Sequence, residues 1–415
     1  MVYICTEECP QEGELQFIMK ELNLYIDNMK IFLEGTKIFY GRPNNKHEIS
    51  IIQGTTSIVD YIVYETKECN EPILIVESTK NDPTQAGNMY YQRLSKFPIF
   101  DIIFPNNSAK KYIYFTFKDK KYKRNKPWEI ATRMARTLGI TPIISGKECD
   151  INCKEYSSLD EYIKHVNSTR RVKNNNRVYI IDNTVSIHTN IVKNNSISHD
   201  PNMGFSIAAM ATISELTNMQ VSIVHENLKQ QMFSNMRSNK FLIACNNYGV
   251  KIQNANKELK LNESIIPNRY HKLAEGEKNV SIMFELIKKS WFDEVIFTNH
   301  AGCEKSYINI DSVNPFEFKI PKNVTKCDRG IPDICIRKNK SIYIIEAEIS
   351  KNYNAGLNQL EEFNLFEDTI KKYYPEEQGY EYTRCVILYG EHKAESYFTL
   401  SCDYEVTNDK FILSC

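Results

Sequence analysis

The chain has 415 residues, 42% of them hydrophobic and 25% charged, and its 52 basic and 52 acidic side chains leave no net formal charge. This composition belongs to a folded globular protein rather than a low-complexity or disordered chain, and the length suits two or three domains. No run of 18 apolar residues offers a membrane span, and the N-terminal MVYICTEECPQEGELQF carries acids where a secretion leader needs bases, so a cytoplasmic protein with no membrane partner is expected.

The twelve cysteines are scattered and form no C-x-x-C pair; Cys5 with Cys9, and Cys149 with Cys153, come nearest. They read as reduced thiols, and no zinc site is expected. The absence of a G-x-x-x-x-G-K-[ST] phosphate loop argues against ATP as a partner.

In chain order, a first α/β block over about 1–130 contains a strand pair separated by a turn: VDYIVY with Asp60, then ILIVEST. Strand periodicity puts Ile73, Ile75, Glu77 and Thr79 on one face of the second strand. Lys80 points the other way unless a bulge turns it inward. The following QAGNMYYQRLSKF reads as a helix that presents Arg93 and Lys96 to nucleic-acid phosphates. The plain alternative is a buried strand whose Glu77 is satisfied by Arg93 or Lys96. The block ends in the basic run KDKKYKRNK, in which Lys120, Lys121, Lys123 and Arg124 are candidate phosphate contacts.

A second α/β block over about 131–265 opens on a helix with apolar Trp128, Ile130, Met134 and Leu138, closed by Gly139. Arg170 and Arg171 in STRRVKNNNR are further phosphate candidates, after which VYII reads as a strand. His199-Asp200-Pro201-Asn202 reads as the cap of a helix through Phe205, Ile207, Ala208, Ala211 and Ile213, followed by the strand VSIVH. His225 and His300 have no partner at ligand spacing and read as structural.

The third block, about 266–415, carries the chemistry. The helix SIMFELIKKSWF holds Glu285, and residues 331–351 read IPDICIRKNKSIYIIEAEISK: two strands around the turn RKNK. In the second strand Ile342, Ile344, Glu346 and Glu348 share a face. Two carboxylates end an otherwise apolar strand face, a costly arrangement unless something offsets it. Asp333 opens the partner strand. Such acids suit Mg²⁺, which takes oxygen ligands and is held by one or two carboxylates with waters and phosphate, while a remaining acid orients or deprotonates the attacking water. The plain alternative is an exposed hairpin end with solvated glutamates.

Pro332-Asp333, twelve intervening residues, and Glu346-Ala347-Glu348 resemble the PD-(D/E)xK signature of type II restriction endonucleases and related nucleases. The resemblance implies a mixed sheet flanked by helices, Asp333 and Glu346 as metal ligands, and Glu285 in support. Glu348 stands where the family usually has lysine, and Lys351, three residues further on, is a nearby positive charge for that place. Residues 58–97 resemble the same signature, with Asp60 and Glu77 in the ligand places and Lys80 near the third, so two related cores are expected. The extra carboxylate Glu348 favours the third block as the one that cuts. The resemblance further implies double-stranded DNA as substrate and a homodimer acting on symmetric sites. Two other readings stand beside it: a nuclease of the same fold in repair or mobile-element defence, and a non-catalytic DNA-binding protein whose acids are remnants.

Overall fold

The structure is a computed structural model and describes the chain apart from residues 7–9, 25–29, 35–36, 54–58, 67–70, 81–86, 117–124, 145, 150–151, 169–175, 194, 198–200, 234–238, 255–256, 260–292, 300–305, 311–312, 350–351, 390–397, 403–404 and 407–415. It divides into two units, Met1–Thr56 with Leu273–Cys415, and Ser57–Lys272. This division differs from the three consecutive blocks read from the sequence. The reason lies in strand packing. Strand Val2–Thr6 pairs in parallel with Asn45–Gln53, and the meander Lys37–Arg42/Asn45–Gln53 lies against strands Ser306–Ile310 and Val313–Phe318, so the first residues join the last part of the chain. No composition shift could announce that. Both units are mixed α/β, as expected, with several sheets flanked by helices.

The first unit contains an eight-stranded sheet in the order Val313–Phe318, Ser306–Ile310, Glu294–Thr298, Ile334–Lys338, Ser341–Ile349, Glu381–Tyr389, Phe398–Cys402, Glu405–Val406. Its central pair is a hairpin, Ile334–Lys338 antiparallel to Ser341–Ile349. Asn339 takes the left-handed φ of 52° that this tight turn requires. Helices Tyr353–Leu360 and Asn364–Lys371 follow, and the chain returns as Glu381–Tyr389, parallel to Ser341–Ile349. The helical spacing of Leu357, Leu360, Phe363 and Phe366 in the sequence is thus carried by two helices, broken at Glu361–Phe363. Leu360, Phe363, Phe366 and Ile370 cover Ile342, Ile344, Cys335 and Phe297. Each such fully buried side chain contributes about 1.5–3 kcal/mol, which fixes the hairpin under the helices.

In the second unit the hairpin Tyr61–Tyr64/Pro72–Thr79 is followed by helices Gly87–Leu94 and Lys96–Ile103 and by strand Lys110–Phe115, parallel to Pro72–Thr79. This is the same order of hairpin, two helices and parallel strand as in the first unit. Strand Ile140–Ile144 extends the sheet in parallel behind the predicted helix, observed as Lys126–Thr137 with Asn125 accepting from the Trp128 N–H and Gly139 at φ 67°. A separate five-stranded sheet contains Arg177–Ile181 and Val221–Val224, both expected as strands.

Helix Pro201–Leu216 is buried over almost its whole circumference from Met203 to Ile213. It meets helix Gly87–Leu94 at Gly204, where an added Cβ would stand 2.6 Å from Gln92 Cα. Two helix backbones approach there as only glycine permits, and Gln92 neighbours Arg93. Gly204→Leu is therefore expected to destabilise the chain by roughly 1–3 kcal/mol or more through overpacking. Urea unfolding followed by circular dichroism measures it, and an unchanged midpoint would refute the close approach.

Among the described residues Cys5, Cys149, Cys153, Cys245, Cys335 and Cys385 are buried and Cys327 is exposed. Among the same residues no helix is long and apolar enough to cross a membrane.

Candidate active site

In the first unit Ile334 pairs with Ile345, which sets Asp333 opposite Glu346 at the end of the hairpin. Asp333 sits in a bend just before its strand. Its backbone is held on both sides: its N–H donates to the Ile345 carbonyl at 3.0 Å, and its carbonyl accepts from the Asn299 N–H at 2.7 Å. Ile342 and Ile344 enter the core beneath the helices, and the strand's period of two carries Glu346 and Glu348 along the same face, as expected. Helix Tyr353–Leu360 closes over that face through Gly356, whose added Cβ would lie 3.1 Å from Glu348 Cγ.

Glu346 is 5% exposed, which corrects the picture of a solvated hairpin end. Its Oε2 is buried and accepts no hydrogen bond from any described residue. Burial, and then the charges of Asp333, Glu348 and Glu362, push its carboxyl up to about 9; a backbone hydrogen bond from Asp333 works weakly the other way. Glu362, half-buried in the link between the two helices, is an acid the sequence reading did not single out. Its only advance signal was an i,i+1 acid pair, Glu361-Glu362, in an otherwise amphipathic helix pattern. Among the described residues no three His, Cys, Asp or Glu side chains stand at metal-holding distances. Mg²⁺ does not require three, since one or two carboxylates with waters and a phosphate complete its shell.

The second unit places Asp60 and Glu77 in the same relation. Tyr61 pairs with Val76, so Asp60, in the bend before its strand rather than on it, stands opposite Glu77. The Ser78 N–H donates to Asp60 Oδ2 at 2.7 Å. Here the carboxylates meet cations. Arg93 Nη1 donates to Glu77 Oε1 at 2.5 Å, Lys96 Nζ pairs with the same oxygen, and Lys96 Nζ lies 3.8 Å from Asp60 Oδ1. Glu77 is fully buried and Lys96 is 2% exposed. Lys96, expected to face DNA phosphate, thus serves the interior, and both cations meet Glu77 at its Oε1. Thr79 is buried at the place that Glu348 holds in the other unit, and Lys80 is exposed beyond the strand end.

The hint for Lys96 was its position. It begins the apolar helix KFPIFDII, at a helix N-terminus where the backbone dipole disfavours a cation unless an acid holds it. Glu285, Lys351, Lys120, Lys121, Lys123, Arg124, Arg170, Arg171, Asp200 and His300 lie outside the described residues. His225 is a loop residue, with Nδ1 accepting from the Asn227 N–H and Nε2 beside Asn190 Oδ1 at 3.1 Å, in keeping with a structural role.

No protein-family model matches the chain, and no curated protein or solved structure is significantly similar to it.

Proposed function

We propose that this protein hydrolyses phosphodiester bonds of double-stranded DNA with Mg²⁺ at the Asp333–Glu346–Glu348 corner, in the manner of a restriction-type endonuclease. The observation that supports it best is Glu346: a buried carboxyl under the charges of three further acids, with one oxygen left without a donor among the described residues. Such a group is unfavourable in a purely structural hairpin and calls for a cation. The donor set is all oxygen, which suits a hard divalent ion. Hairpin, crossover helices and parallel third strand form a mixed sheet that agrees with the nuclease resemblance of the sequence.

In this reading Asp333 and Glu346 hold the ion, which when bound polarises a phosphoryl oxygen and favours hydroxide formation from water. Glu348, half-buried at the rim of the same face, orients the attacking water. The helix lying on Glu348 at Gly356 restricts its rotamers, and the two backbone bonds of Asp333 fix the spacing between the carboxyls. A double-stranded DNA partner, and a homodimer matching symmetric sites, follow from the same resemblance.

The test is incubation of supercoiled plasmid with the purified chain. Discrete fragments that require Mg²⁺ or Mn²⁺ and vanish with EDTA are expected. Cleavage without defined ends would indicate a nuclease of another biological role, and no cleavage with either ion would leave only a DNA-binding protein.

A further inference from the structure

The two acid pairs stand on the same local topology, yet they are balanced in opposite ways. Asp60 and Glu77 occupy the register positions of Asp333 and Glu346, one opposite the other at the end of an antiparallel hairpin, with a parallel strand on the far side. In the second unit the Lys96 ammonium reaches both carboxylates from the following helix, and the Arg93 guanidinium reaches one of them. In the first unit the residues at the same chain distances from the glutamate are Glu362 in place of Arg93 and Leu365 in place of Lys96. Charge has therefore been exchanged for charge: two cations face two acids in one unit, and an acid and an apolar side chain follow the acids in the other.

We infer that the Lys96 ammonium is the resident cation of the Asp60–Glu77 pair, standing where the first unit takes a divalent metal, so that of the two acid pairs the one at Asp333–Glu346, with Glu348, binds a divalent cation and the other does not. Three observations carry this. Lys96 Nζ is the point common to both acids, as a bridging ion would be. Lys96 is almost wholly buried, so it cannot swing out to solvent without unpacking Phe97 and Phe100, both fully buried on the same helix. The third place on the strand face is Thr79, a neutral group, so the second unit presents two acids and two cations where in the first the charges of Asp333, Glu348 and Glu362 all bear on Glu346. A divalent ion entering the second site would meet an ammonium and a guanidinium, a repulsion that a buried, low-dielectric setting screens little.

The inference rests on reading the first unit's acids as the metal site. Its test is therefore metal binding without DNA. Isothermal titration of the full-length chain with MnCl₂ is expected to show binding in the wild type that weakens at least tenfold in Glu346→Gln. Lys96→Gln is expected to add a second binding event, which the further change Glu77→Gln removes. If Lys96→Gln folds, by its circular dichroism spectrum, and gains no site, the inference is overturned. A failure of that variant to fold leaves a second arm in force. In Glu346→Gln the weakened Mn²⁺ binding should be unaffected by the further change Glu77→Gln, and residual binding that Glu77→Gln abolishes overturns the inference as surely. A wild-type chain that binds no Mn²⁺ refutes the metal site of the first unit, while the gain of a site in Lys96→Gln still reads the role of Lys96 by itself.

Discussion

Glu346→Gln is expected to reduce Mg²⁺-dependent plasmid cleavage by at least about a hundredfold, the scale of the several kcal/mol of charge stabilisation a metal ion supplies. Glutamine keeps the shape of the side chain and removes only the charge. The same substitution is expected to stabilise the folded chain. The Glu346 carboxyl sits at about 9 in the folded protein against an ordinary 4.5. The folded state therefore holds its proton over a range where the unfolded state has lost it, and stability falls as pH rises between those values. Below the lower value the two proteins should be equally stable. The gap opens by at most about 1.4 kcal/mol per pH unit over that range, so by pH 8 to 9 the glutamine variant should be ahead by several kcal/mol, up to roughly 5. Urea titrations at pH 4.5 and 8.5 measure this. Millimolar Mg²⁺ should narrow the gap by stabilising the wild type alone. Loss of cleavage on Glu77→Gln, with Glu346→Gln cutting like the wild type, would move the catalytic centre to the second unit.

Lys96→Ala is expected to cost about 3–5 kcal/mol of stability, because it leaves the fully buried Glu77 with one of its two cations and Asp60 with a vacated neighbour. The loss should change little with added salt, since the pair is shielded from solvent. In the double variant Lys96→Ala/Glu77→Gln both charges go together, and part of the stability should return. Chemical denaturation of the four proteins in the cycle reads the coupling. A single-variant loss below about 1 kcal/mol would mean that the pair is not held as described.

Much of this was legible in the sequence where periodicity alone decides the outcome. The apolar face of Ser341–Ile349 and the position of both glutamates on it follow from a side-chain period of two, and both glycine-closed helix ends and hairpin turns follow from backbone sterics. The likeness between residues 58–97 and 331–366 was visible as a string and reappears as one local topology used twice. The break at Glu361–Phe363 was not visible, because amphipathic spacing runs through it and only the packing of Phe363 against the sheet shows where the helix must turn.

What the sequence determined by itself, then, was the set of acids at Asp333, Glu346 and Glu348 and the strand face that the two glutamates share, since that face depends on neighbours one or two residues away. The tertiary structure decided how each acid is answered. Lys96 lies nineteen positions beyond Glu77 in the sequence and reaches it only after a helix folds back over the strand. Helix packing thus neutralises one acid pair and leaves Glu346 of the other beside Asp333, Glu348 and Glu362. Charge balance in a buried site is a sum over side chains that converge from several elements, and that sum exists only once the chain has folded.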